Sequence, residues 1–65
     1  MTVTVDARMA QVRMLQESEQ AHSRGLQDLI DARASTVEIA TAQRVLAVYR
    51  RRLAQAEKIL DKASR

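Results

Sequence analysis

Residues 35–63 read STVEIATAQRVLAVYRRRLAQAEKILDKA. Within this stretch Ile39, Ala42, Leu46, Tyr49, Leu53, Ala56, Leu60 and Ala63 recur at intervals of 3, 4, 3, 4, 3, 4 and 3. That alternation is the a/d repeat of a helix that buries one narrow stripe against another helix. The a positions are Ile, Leu, Leu and Leu; the d positions are Ala, Tyr, Ala and Ala. Val45 and Ile59 widen the stripe on one side. Opposite it, at the f positions, stand Arg44, Arg51, Lys58 and Arg65, a basic face suited to water. Ser35-Thr36-Val37-Glu38 is an S-x-x-E capping box. In that motif the Ser35 hydroxyl accepts from the Glu38 amide and the Glu38 carboxylate accepts from the Ser35 amide. Lys62 and Arg65 suit the negative pole of the helix dipole. The spacing predicts a helix over about 36–63.

The residues before it are also helical in pattern but less regular. Val5, Met9, Val12, Leu15, Leu26, Leu29 and Ile30 fall on one side of a helix predicted over about 5–32. Met1 to Thr4 is read as frayed or extended. Between Leu15 and Leu26 the stripe passes through Glu19 and His22, and residues 16–20 are wholly polar. Gly25 follows, at a cost of roughly 1 kcal/mol relative to Ala in a helix. A bend or loosening is therefore expected around 18–25.

Residues 31–36, DARAST, are the one place for a turn, about 33–35, although they hold neither Gly nor Pro. The alternative is one continuous helix of about 60 residues, and the cap at Ser35 argues against it. Folding the chain there pairs positions whose numbers sum to about 68. Leu26 then meets Ala42, Leu15 meets Leu53, Val12 meets Ala56 and Val5 meets Ala63. Small residues of the second helix face large ones of the first, as close packing requires. Tyr49 lands opposite the polar gap, where Glu19 or His22 would take a hydrogen bond from its hydroxyl. The expected fold is all-α: one antiparallel, coiled-coil-like helical hairpin spanning residues 1–65.

Composition agrees with that reading. The chain has 65 residues, no Pro, one Gly, no Cys and a single aromatic, Tyr49. That argues against an all-β domain, which needs turn residues and β-formers. No disulfide is available, and a lone His22 without Cys leaves no Cys/His zinc site. Asp6, Arg8 and Arg13 interrupt the first residues, so no signal peptide is read there. The longest apolar run, residues 45–49, is far short of the roughly 20 needed to span a membrane. A cytoplasmic location is the simplest expectation.

The net charge of +3 is unevenly placed. Residues 1–34 carry four Arg against five acids, or −1; residues 35–65 carry seven bases against three acids, or +4. Arg50-Arg51-Arg52 with Arg44 and Lys58 could meet phosphates. Three successive arginines on a helix point in three directions, however. There is no helix-turn-helix spacing and no aromatic platform for single strands. A basic nucleic-acid-associated hairpin is thus an alternative to a solvated face. Glu19-x-x-His22 is the motif that builds di-iron sites in four-helix bundles. The second helix offers no inward carboxylate to complete such a site, and a metal-binding four-helix dimer stands as the lesser alternative. Ser18, Ser23, Ser35 and Ser64 have no His and acid in a triad pattern. With no phosphate loop and no paired acids either, the chain is read as non-enzymatic, without cofactor or metal.

Two helices cannot bury everything apolar that they carry. Met9, Met14, Val45, Val48 and Ile59 are hard to cover within one hairpin, and they are the expected partner-binding residues. The core would be completed by dimerisation or by a helical partner.

A family resemblance points the same way. The polar first helix ending near Leu29-Ile30, the short break, and Ala42-Gln43-Arg44 leading into Leu53-Ala54-Gln55-Ala56-Glu57-Lys58-Ile59-Leu60 resemble the small two-helix co-chaperones of bacterial type III secretion needle subunits. Through Gln43, Tyr49 and Lys62-Ala63 the second helix also looks like the C-terminal helix of inner-rod or basal-body subunits of those machines. The first resemblance implies a non-enzymatic cytoplasmic adaptor. It would pair with a helical-repeat chaperone and keep a polymerising secretion subunit monomeric before export.

Overall fold

A computed structural model describes residues 4–63; Met1 to Val3, Ser64 and Arg65 lie outside the described residues, and with them the expectations for the N-terminal end and for Arg65. Two helices run antiparallel, α1 from Val5–Asp31 and α2 from Thr36–Ala63, and no strand is present among the described residues. The continuous 60-residue helix is ruled out by the turn between them. α1 stays α-helical straight through 18–25, where loosening was expected, and Gly25 takes an ordinary helical conformation.

Each end has a physical reason. Thr4, in extended backbone, caps α1 by accepting from the Ala7 amide at 3.1 Å. At the other end the Ala34 amide donates to the Leu29 carbonyl at 2.9 Å and the Arg33 amide to that of Ile30 at 3.1 Å. Those two bonds form a Schellman motif, which needs a left-handed residue between them. Arg33 supplies it with a φ of 54°. The turn thus does without glycine by straining an arginine.

Ser35 begins α2 as its sequence promises, with one correction. Its hydroxyl accepts from the Glu38 amide at 3.2 Å. The Glu38 carboxylate, however, takes the Ser35 hydroxyl at 3.1 Å rather than the Ser35 amide. One side chain closes on the other, and only one half of the reciprocal box is made.

The interior is thin. Among the described residues the buried apolar side chains are Val12, Leu46 and Ala56, at 7, 3 and 8% exposure. Leu15, Leu26, Leu29, Ile39, Ala42, Tyr49, Leu53 and Leu60 are half-buried along the same seam. The molecule measures 46 × 19 × 14 Å, with a radius of gyration of 14.8 Å against about 11 Å for a compact chain of this length. Such a rod has almost all of its side chains near the surface.

The register differs slightly from the expected sum of 68. Glu19 meets Arg50, a sum of 69, and His22 meets Tyr49, a sum of 71. Leu26 and Ala42 do line one depression together. Leu15 shares another with Ala56. Val5, placed on the seam against Ala63, is 40% exposed at the open end of the hairpin. Ile30, also placed on the seam side, is 43% exposed beside the turn.

Candidate functional site

Four of the five nominated apolar residues gather on one side of the seam. On α2, Val45, Arg52 and Ile59 recur every seven residues, two helical turns apart, and so share a face. Val48 is one turn from both Val45 and Arg52, and seven residues from Gln55. On α1, Met14 is one turn from Gln11 and seven residues from Ala21.

Two open depressions tie these rows into one surface. The first, about 310 Å³, is lined by Ala21, His22, Gly25, Leu26, Leu29 and Ala42. The second is lined by Gln11, Leu15, Arg52, Gln55, Ala56 and Ile59. Met14, Val45 and Val48 stand on the same side by helical spacing, and with Ile59 they are between 37 and 68% exposed. Met9, also exposed, is five residues from Met14, which turns it about 140° around α1. It belongs to the other side, and the structure does not bring it to this face. Val37, the most exposed large apolar side chain among the described residues at 75%, lies apart in the first turn of α2.

The small residues of the first depression were not singled out as part of a surface by the sequence. Ala21 and Gly25 are four apart on α1 and open the groove, while Ala42 forms its far wall. A Cβ built on Gly25 would meet nothing within 4 Å. Nothing inside the chain therefore requires glycine there. The readable signal was Ala21 and Gly25 one turn apart, though Ala7 and Ala10 make a similar pair earlier in α1.

The polar gap is organised differently from the expectation. Tyr49 stacks on His22, with ring centroids 4.4 Å apart and planes at 28°. Its hydroxyl makes no hydrogen bond to another described residue. The His22 Nδ1 is 2.7 Å from the Ser18 carbonyl within α1. Glu19 accepts from the Arg50 guanidinium at 3.2 Å, the bond expected for Tyr49 having gone to an arginine one register step away. Both members of the Glu-x-x-His pair are thus engaged by neighbours. Among the described residues no three His, Cys, Asp or Glu side chains lie close enough to hold one metal ion. Among them, too, no helix is long and apolar enough to cross a membrane.

Arg44, Arg51 and Lys58 are exposed on α2. Arg51 and Lys58 border a shallow surface hollow with Ala54 and Gln55, beside the apolar face rather than within it. No protein-family model, curated protein or solved structure matches this chain.

Proposed function

We propose that this chain is a non-enzymatic protein-interaction module, a helical hairpin that binds another helical protein through the face of Met14, Val45, Val48 and Ile59. The observation that carries the reading is the imbalance between that exposed face and the three well-buried residues of the seam. Apolar side chains on neighbouring turns of a helix are the usual anchors by which helices dock in grooves. Arg44, Arg51 and Lys58 then form a solvated rim, and rim charges change encounter rates more than affinity. The resemblance to co-chaperones of secretion needle subunits supports a narrower version: a cytoplasmic adaptor that holds an export subunit before assembly.

The test is affinity capture with the partner identified by mass spectrometry. Val48→Asp or Ile59→Asp should abolish capture while leaving most of the helicity. Arg44, Arg51 and Lys58 changed together to Gln should weaken it only mildly. The exposed basic stripe supports the alternative of a nucleic-acid-associated hairpin. Capture lost with the charges and indifferent to the apolar changes would move the assignment there.

A further inference from the structure

We propose that the occupant of this face is a second copy of the chain, docked about a two-fold axis along the hairpin's length, with both turns at the same end. In that arrangement α1 of each copy lies on α2 of the other and the four helices close into an antiparallel bundle. The inference rests on the reading of the face as an interaction surface and names its partner.

The hairpin is large enough for such a dimer. A face bounded by 46 × 19 Å offers at most roughly 870 Å² per copy, the order of the about 800 Å² that stable interfaces take from each partner. The face runs along α2 from Ala42 to Ile59, roughly 26 Å at 1.5 Å per residue, with Arg52 and Gln55 set between its apolar ends. An interface that mixes apolar anchors with polar groups in this way is ordinary for a protein dimer.

Its shape suits one as well. Within the hairpin, residues whose numbers sum to about 70 lie level, as Glu19 with Arg50 and His22 with Tyr49 show. Rotation about the long axis keeps each level and exchanges α1 for α2. Val45 of one copy therefore comes over Gly25 of the other, and Val48 over Ala21. Large side chains enter the depression that the small ones open. Gly25, which no contact within the chain requires, acquires a reason: the space its missing Cβ leaves is taken by the second copy.

Charge separates the lengthwise axis from one across the hairpin. An axis across the hairpin that covers Val45 with Ile59 would have to pass through Arg52, their midpoint, and set that guanidinium on its own copy. The lengthwise axis brings Arg52 level with Ser18 instead, a neutral acceptor.

Sedimentation equilibrium over a dilution series decides the matter, with circular dichroism on the same samples. The expected species has twice the 7.3 kDa chain mass and dissociates on dilution. Gly25→Leu should weaken association at least tenfold while helicity holds or rises, since leucine is the better helix former. Loss of the dimer can then not be ascribed to unfolding. Val48→Asp should weaken it similarly. Because the chain has no cysteine, register is read by oxidising Gly25→Cys chains mixed with Val45→Cys chains. Cross-links between the two kinds are expected, and cross-linking of Arg52→Cys chains to themselves in their place overturns the lengthwise axis. A monomer at all concentrations overturns the proposal, as does an assembly indifferent to both Gly25→Leu and Val48→Asp. If the chain is monomeric yet captures a different protein in a Val48-dependent way, this inference fails and the interaction reading stands. If neither association depends on Val48, both fail.

Discussion

Arg33 holds a φ of 54°, in the left-handed region where a Cβ costs roughly 1–2 kcal/mol. The Schellman bonds from Arg33 and Ala34 need that conformation whatever residue supplies it. Arg33→Gly should therefore stabilise the chain by about 1 kcal/mol, less what the freer unfolded chain takes back. A melting temperature higher by about 5 °C is the expected readout for a domain of this size. A lower one would show that the arginine side chain contributes more than its backbone costs. Tyr49 gives a second test at this scale. Its ring stacks on His22 but its hydroxyl bonds no described residue, so Tyr49→Phe should change stability by less than about 0.5 kcal/mol. Tyr49→Ala removes the stacked pair and part of the seam, and should cost at least about 1.5 kcal/mol in denaturant titration. An equal loss in both variants would mean that the hydroxyl has a partner after all. Such details were not legible in the sequence. A polar gap could be seen at Glu19 and His22, but a register step of one or two residues decides whether tyrosine or arginine reaches the carboxylate.

The helices themselves were far more legible, because their determinants are local and repeat. The a/d spacing of α2 recurs through four heptads, so a single misleading residue would not have obscured it. α1 was read through a weaker pattern. The expected loosening at 18–25 is absent because propensity is a small term beside tertiary packing: one glycine costs about 1 kcal/mol, and half-buried His22, Leu26 and Leu29 bind that stretch to α2. The turn is marked in the sequence only on its far side, by the cap at Ser35. Its near side, where a strained Arg33 replaces glycine, carried no sequence signal. Since Ser35 both accepts from the Glu38 amide and donates to the Glu38 carboxylate, Ser35→Ala should lose about 1 kcal/mol. Glu38→Gln should lose much less, because the amide bond to Ser35 remains. Urea titration of the two variants checks the order. If Glu38→Gln were the costlier change, the carboxylate would be holding the turn directly rather than through the serine.

For the whole molecule, the decisive quantity is how little lies inside. Small domains are stable by roughly 0.05–0.15 kcal/mol per residue, so 65 residues give about 3–10 kcal/mol in all. A rod with three well-buried side chains among its described residues belongs at the lower end of that range. Leu46, at 3% exposed, is its best-buried side chain. Truncating a buried leucine to alanine costs about 2–5 kcal/mol, a large share of the total. Leu46→Ala should accordingly leave much of the population unfolded at 25 °C, with a weak and broad thermal transition. Val37 is as apolar but three-quarters exposed, and Val37→Ala should stay within about 0.5 kcal/mol of the parent. The pair separates burial from hydrophobicity, since both variants delete aliphatic carbon from α2. Comparable losses at the two sites would mean that Val37 is covered in solution and that the interaction surface extends to the turn. A sharp transition surviving in Leu46→Ala would mean that the seam between α1 and α2 is not where the chain's stability resides.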